Sequence, residues 1–361
     1  MVSNKMKERI LEKDQIKQFH EDLARYYNFY APTKVKGNFV FKKITNPDDI
    51  DLNYLNSKTP PKEILFPRME TLFTYKMDGK EIEIEPRTDL EEKNIIFGIR
   101  PCDAYSFNLL ENFFNFGEFK DDIFLKKKEN TIIMGLGCNS PRSTCFCTSL
   151  DYNGHPHRKD DVDIFLTDLG EKYLVNPISD KGKAIIDKLA WLSEANEKEV
   201  QKAVELSDEA ESQISTELDL ENTADILDPN FNHPLWGEVS ENCIGCGTCT
   251  FLCPTCTCFD VVDEVDQYND KGKRVRLWDT CQFCQYSLET SGHNPRNSKI
   301  ERCRNRVLHK FSYYPKNYNM IGCVGCGRCI QLCPVNNDLR EIIKKINLIK
   351  NKSKKEEVTV A

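Results

Sequence analysis

Two stretches of the chain repeat the same spacing of cysteines, C-x2-C-x2-C-x3-C-P. Three thiolates at intervals of three residues can wrap around one cubane, so this spacing predicts two [4Fe–4S] clusters and one-electron chemistry. Two glycines inside each stretch let backbone amides approach the sulfur atoms closely. The first stretch contains Cys243, Cys246, Cys249, Cys253 and Pro254, and the second contains Cys323, Cys326, Cys329, Cys333 and Pro334.

The fourth cysteine of each run is expected to ligate the other cluster and to begin a helix. The predicted ligands of cluster one are therefore Cys243, Cys246, Cys249 and Cys333. Those of cluster two are Cys323, Cys326, Cys329 and Cys253. The alternative is a pair of zinc sites. Zinc uses C-x2-C pairs but has no need of a third cysteine followed by C-x3-C-P, so the sequence favours clusters.

Two short apolar runs, residues 94–99 and 131–136, are predicted as buried strands with a helix between them over residues 104–116. A cysteine closely follows each run, Cys102 after the first and Cys138 after the second. In open α/β sheets, sites assemble at the carboxyl ends of the strands. The pattern therefore places both thiols at one edge of a sheet.

Cys145 and Cys147 flank Phe146 shortly after Cys138. Together with Cys102 these cysteines could ligate a third [4Fe–4S] cluster. The alternative is four buried free thiols, because cysteine packs like a small apolar residue. Spacing alone leaves both interpretations open.

Five more cysteines lie between the two repeats. Cys256, Cys258, Cys281 and Cys284 form a candidate four-thiolate metal site for zinc or another cluster, whereas Cys303 has no evident partner. The interpretation favoured by the sequence is that these residues pack around the clusters and tune their potentials through hydrogen bonds.

A basic stripe follows in the same region. Its members are Arg296, Arg302, Arg304, Arg306 and Lys310. They predict either a solvated helix face or positive charge that compensates the clusters or docks an acidic partner.

Composition narrows the class of protein. The 361 residues suffice for two domains, and 17 cysteines without an apolar leader or membrane span predict reduced thiols in the cytoplasm. A net charge of −7 argues against nucleic acid as a partner. No dinucleotide fingerprint, P-loop or nucleophile–base pattern occurs, so we expect no catalytic residue and no flavin or nicotinamide bound by this chain.

The predicted fold class is α+β, in three parts. Residues 1–225 form an α/β domain with a [4Fe–4S] site. Residues 226–345 form a helical, ferredoxin-like domain with two [4Fe–4S] clusters and an insertion between the cluster motifs. Residues 346–361 form a charged, disordered tail.

Motifs spread along the chain resemble those of one family, the 4Fe–4S dicluster electron-transfer subunits found in cytoplasmic [NiFe] sulfhydrogenases (beta subunit) and in anaerobic sulfite reductases. The resemblance covers about residues 28–345. The motifs occur in the order Arg100–Asp103, Cys138–Cys147 with its Cys-Phe-Cys, Cys243–Phe259, Trp278–Cys281, Gly292–Arg296, His309–Lys310 and Cys323–Cys329.

The resemblance implies that Cys102, Cys138, Cys145 and Cys147 do ligate a third cluster, and it leaves Cys284 and Cys303 outside the family pattern. It also implies two partners, namely a flavin- and NAD(P)-binding reductase subunit together with a catalytic subunit of hydrogenase or sulfite-reductase type. The expected function is electron transfer within an anaerobic, cytoplasmic oxidoreductase complex. The alternatives are a catalytic iron–sulfur subunit that acts on a disulfide or sulfur substrate, and a zinc-stabilised binding module.

Overall fold

The computed structural model describes residues 8–360 except 80, 88, 267 and 269, and it describes side chains as far as residue 349. The chain divides into two compact units built from several segments each. The first unit comprises Met1–Arg142, His155–Ile214 and Val262–Val275, and the second comprises Ser143–Gly154, Ser215–Val261 and Arg276–Ala361. The domain limits at residues 225 and 345 stay a prediction from the sequence.

The first unit contains an eight-stranded mixed sheet and a smaller four-stranded sheet. Its strands are β1 (Arg9–Glu12), β2 (Asn28–Val35), β3 (Asn38–Lys43), β4 (Met69–Asp78), β5 (Glu81–Glu85), β6 (Asn94–Ile99), β7 (Thr131–Leu136), β8 (Ile164–Asp168), β9 (Lys172–Pro177) and β10 (Ser193–Glu194). Its helices are α1 (Ile16–Ala24), α2 (Pro101–Phe114), α3 (Asp122–Glu129), α4 (Asp180–Lys188) and α5 (Glu197–Ser212).

The large sheet has the strand order β10-β1-β9-β8-β7-β6-β2-β3. Strands β2, β6, β7 and β8 run parallel to one another at its centre. Every residue of β6 and of β7 is buried, as expected for strands covered on both faces. The two apolar runs seen in the sequence are thus confirmed as neighbouring parallel strands.

Helix α2 begins at Pro101, three residues earlier than predicted. Proline is favoured at the first helical position because its missing N–H has no partner there and its φ suits a helix. Cys102 therefore lies in the first turn of α2 rather than in a loop, immediately beyond β6.

The smaller sheet has the order β11-β12-β4-β5, where β11 is Phe259–Asp266 and β12 is Lys271–Trp278. The β11–β12 hairpin belongs to the insertion between the cysteine repeats, and its residues 262–275 are part of the first unit. The sequence analysis placed this insertion wholly in the C-terminal domain. The difference arises because backbone hydrogen bonds of a strand edge, such as Met77 N–H to Asp270 O at 2.7 Å, pair segments regardless of their distance along the chain.

The second unit is mainly helical. Its helices are α6 (Thr223–Leu227), α7 (Leu235–Ser240), α8 (Thr248–Phe251), α9 (Lys299–Leu308), α10 (Tyr314–Tyr318), α11 (Arg328–Gln331) and α12 (Leu339–Val360). A π-helical turn, His309–Tyr313, joins α9 to α10.

Two local predictions differ from this part of the structure. Cys253 and Cys333 do not begin helices, because each follows the end of a short helix and precedes a proline, which cannot continue a helix. The segment predicted as a disordered tail is drawn into α12, which runs to Val360 and is rich in the helix formers lysine and glutamate. Within the described residues, no helix is long and apolar enough to cross a membrane.

Candidate iron–sulfur centre

The first cysteine repeat forms a tight loop that leads into α8. Gly245 and Gly247 adopt left-handed backbone conformations with φ of 68° and 74°. Glycine suits these positions because a Cβ disfavours that conformation. The loop brings Cys243, Cys246 and Cys249 to the wall of one cavity.

Cys333 of the second repeat lines the same cavity. The four thiols predicted for cluster one are thus brought together from two stretches of the chain. Cys249 is deeply buried, and this burial raises the pKa of its thiol to about 12. Without a metal the thiol stays protonated, so loading the site with iron must release its proton.

The second repeat has the same geometry as the first. Gly325 and Gly327 have φ of 64° and 72°, and Gly327 precedes α11. Burial raises the pKa of Cys323 to about 11, and the thiols of Cys253 and Cys329 act on it in the same direction. Three of the four cysteines predicted for cluster two therefore lie within electrostatic reach of one another.

Two buried cations lie among these thiols. Lys310 is 3% exposed, and its Nζ donates to Thr255 Oγ1 and to Gly322 O, both at 2.8 Å. Burial opposes the charge on Lys310, but the neighbouring thiols, led by that of Cys253, outweigh it and raise the pKa of the lysine. The cation is thus held where anionic thiolates would surround it.

Arg306 is the second buried cation. Its Nη2 donates to Cys249 O at 3.2 Å, and burial opposes its charge while the thiols of Cys249 and Cys329 raise its pKa. Its Nε is buried and has no hydrogen-bond partner in the described part of the chain. A buried donor facing thiols of both repeats fits a bound anionic iron–sulfur group, because an unpartnered buried N–H is costly.

The basic stripe is therefore not a solvated face as a whole. Arg302, Arg306 and Lys310 are buried, and Arg302 Nε donates to Gln282 O at 3.1 Å. Arg304 stacks over the ring of Phe231, 3.6 Å from its centroid. The alternative of a fully solvated stripe is wrong, because the apolar side of α9 and the turn after it carry three of these charges inward.

The glycines of the two loops pack on different segments. A Cβ on Gly325 would lie 2.5 Å from Cys147 N, and one on Gly327 would lie 2.6 Å from Thr144 O. In the first loop, a Cβ on Gly247 would meet Thr280 Cγ2 at 3.0 Å. Each loop therefore rests on a segment that carries additional cysteines, residues 144–147 for the second loop and 280–283 for the first.

The N-terminal cysteine set is divided between the units. In the first unit, Cys102 and Cys138 follow the parallel neighbours β6 and β7, so both lie at the carboxyl edge of the sheet. In the second unit, Phe146 N–H donates to Gly325 O at 2.9 Å and Cys145 Sγ lies 3.9 Å from Cys326 O. A third cluster stays a prediction from the sequence.

The carboxyl edge of the large sheet also holds polar groups that the sequence analysis did not single out. The Arg100 guanidinium lies 4.4 Å from the Tyr54 ring centroid and donates to Gly137 O. Burial, followed by the charges of His155 and Arg100, lowers the pKa of His157 to about 4. In the described part of the chain, Arg100 Nε and His157 Nε2 have no hydrogen-bond partner.

The remaining cysteines form no four-thiolate arrangement that the structure defines. The thiols of Cys258 and Cys281 hydrogen-bond to each other, which lowers the pKa of Cys258 to about 7 and raises that of Cys281. Cys256 is buried and Cys284 is exposed. No three His, Cys, Asp or Glu side chains of the described residues converge around a position for a single metal ion. The four-thiolate site stays a prediction.

Cys303, which has no partner in the sequence pattern, lines the same cavity as the cluster-one thiols. Burial raises its pKa to about 11, and the thiols of Cys243 and Cys333 lie close enough to contribute. No sequence signal points to this position, because it depends on how α9 packs against both repeats.

Comparisons with known proteins agree with this geometry. Residues 242–337 match the family model of a 4Fe–4S dicluster domain. Over 342 residues the chain is 29% identical to the sulfhydrogenase 2 subunit beta of Pyrococcus furiosus, in a match that covers 93% of this chain and 97% of the relative. No solved structure matches the chain. Both matches agree with the resemblance that the motifs show.

Proposed function

We propose that this chain, an iron–sulfur protein of the 4Fe–4S dicluster electron-transfer subunit family, relays single electrons between two partner subunits. One partner is a flavin- and NAD(P)-binding reductase subunit, and the other is a catalytic redox subunit of hydrogenase or sulfite-reductase type. The observation that carries the proposal is the cavity lined by Cys243, Cys246, Cys249 and Cys333. Thiols from both repeats meet there, as the ligand exchange of two-cluster domains requires.

The chain's own residues supply ligation, charge balance and exclusion of water. When bound, each [4Fe–4S] group supplies a site that gains or loses one electron. The two repeats provide eight thiolate ligands by the predicted assignment, and Arg306 and Lys310 place positive charge beside them. Burial of Cys253 and Cys323 keeps the second ligand set away from water. No proton-transfer residue is needed for such a relay.

A third [4Fe–4S] group held by Cys102, Cys138, Cys145 and Cys147 is part of the proposal. It rests on the cysteine spacing and on the family resemblance. The unpartnered Arg100 Nε and His157 Nε2 at the carboxyl edge of the sheet support an anionic group near Cys102 and Cys138, since both are buried polar atoms.

The first prediction concerns iron content. Anaerobically purified protein is expected to hold about twelve irons, four for each cubane. Cys102→Ser is expected to lower the count to about eight while the two clusters of the repeats stay visible by electron paramagnetic resonance, because each cubane carries four irons.

Cys284→Ser is the matched control, because Cys284 is exposed and belongs to neither repeat. It should leave the iron count unchanged. About eight irons in the unaltered protein would remove the third group, since two cubanes account for that number. Zinc in place of iron would refute the proposal as a whole.

The second prediction concerns partners. The isolated chain is not expected to oxidise NADH or NADPH with an artificial acceptor, because it carries no flavin or nicotinamide motif. Affinity purification from its native cells should recover a flavoprotein and a catalytic redox subunit. Sustained turnover of a pyridine nucleotide by the chain alone would contradict the proposed division of labour.

A further inference from the structure

Two cysteines outside the predicted ligand sets are held against each other. Cys258 lies just before β11 and Cys281 lies shortly after β12. Asp279 N–H donates to Cys258 O at 2.9 Å, which fixes the two segments side by side. The two thiols hydrogen-bond directly, and Cys281 is only 4% exposed.

We propose that Cys258 and Cys281 are a redox-active dithiol that closes to a disulfide and exchanges two electrons with the iron–sulfur groups of the same unit. This site goes beyond the one-electron relay, because it stores an electron pair in an S–S bond. Direct contact of the two thiols is the first requirement for such a bond.

The surroundings of Cys258 favour its thiolate, the form that attacks another sulfur. The Cys281 thiol, the Tyr286 hydroxyl and the Cys281 backbone N–H all hydrogen-bond to Cys258 Sγ. Cys281 is the more buried partner and keeps its proton until oxidation. The pair is thus asymmetric, as in dithiols where one sulfur acts as the nucleophile.

Gln282 connects this pair to the first ligand set. Its Nε2 donates to Cys281 Sγ at 3.4 Å, and its Oε1 lies 3.9 Å from Cys243 Sγ. The side chain is 4% exposed, so water does not compete for these contacts. Gln282 is therefore the positioning residue between the dithiol and a predicted cluster ligand.

Oxidation of the pair forms the Cys258–Cys281 S–S bond, releases two protons and passes two electrons, one at a time, to one-electron iron–sulfur acceptors. Reduction consumes two electrons from the same groups and two protons from solvent, and it restores both thiols. The inference rests on the domain holding its [4Fe–4S] groups, which the iron count tests separately.

The test uses the full chain loaded with its iron, under anaerobic conditions. The protein is oxidised with ferricyanide or reduced with methyl viologen radical, quenched in acid, alkylated and digested for mass spectrometry. A cross-linked Cys258–Cys281 peptide is expected after oxidation, and both residues should be alkylated after reduction. Cys258→Ser should leave Cys281 alkylated in both states, whereas the exposed control Cys284→Ser should behave like the unaltered protein.

Gln282→Leu tests the connection to the ligand set. We expect it to slow reduction of the disulfide by viologen about 10-fold, the size of effect typical for residues next to metal ligands, while dithiothreitol reduces it at the unaltered rate. Three results would overturn the proposal. These are no linked peptide after oxidation, a linked peptide that viologen cannot open, and loss of bound metal in Cys258→Ser, which would make these cysteines ligands.

Discussion

Gly325→Ala is expected to remove at least four irons and to destabilise the second unit strongly, because one cubane of about four irons depends on its loop. Gly325 has a φ of 64°, and an alanine in this left-handed conformation costs about 1–2 kcal/mol before any contact is considered. Its new Cβ would also lie 2.5 Å from Cys147 N and 2.6 Å from Cys147 Cα. Because these are backbone atoms, the loop that carries Cys323 and Cys326 has to move away from its support.

The measurement is iron content together with the thermal unfolding midpoint. Gly237→Ala is the matched control, because Gly237 lies inside α7 of the same unit and a Cβ there would meet no atom within 4 Å. Alanine in a helix interior is favoured over glycine by about 1 kcal/mol, so this variant should keep its iron and unfold slightly later. Full iron content in Gly325→Ala would show that the loop is not held against residues 144–147.

Lys310→Met is expected to shift the reduction potential of one cluster downward by on the order of 100 mV, as estimated for one buried charge a few ångströms away. Adding an electron makes a thiolate-bound cluster more negative, and a nearby cation stabilises that reduced form. Removing the cation therefore lowers the potential. The change should fall on the cluster that Cys253 and Cys323 ligate, because their thiols are among the groups that act most strongly on Lys310.

The fold is expected to survive this substitution. Thr255 Oγ1 already donates to Gly322 O at 2.8 Å, so the carbonyl keeps a partner when Lys310 is lost. Redox titration followed by electron paramagnetic resonance measures the potentials. The control is Lys316→Met, which removes the same charge from an exposed ion pair with Asp228, where water and salt screen it. Equal shifts in both variants would argue against a local role for Lys310.

The sequence predicts the parts of this protein whose information is local. Strands β6 and β7 are recognisable because each is a short apolar run with β-branched residues, and both are confirmed. The two cysteine repeats are recognisable because a cubane needs thiolates at fixed intervals within one loop. The matched 4Fe–4S dicluster domain agrees with that interpretation.

The sequence is less informative where a residue's surroundings come from distant segments. The basic residues of the stripe have helical spacing that suits a solvated face equally well, and only packing decides that Arg302, Arg306 and Lys310 lie inward. The boundaries of short helices also differ, since Cys253 and Cys333 follow helices instead of beginning them. Proline after each cysteine is a local signal that could have indicated this.

Cysteine type and spacing by themselves determine that the chain binds iron–sulfur groups, because metal ligation depends on few atoms in a short loop. Tertiary structure alone decides that the first loop rests on residues 280–283 and the second on residues 144–147. It likewise decides that Cys258 meets Cys281 and that Cys303 reaches the cluster-one cavity. The physical reason is that these contacts join segments far apart in the chain, and their energies depend on the packing of whole elements rather than on any local pattern.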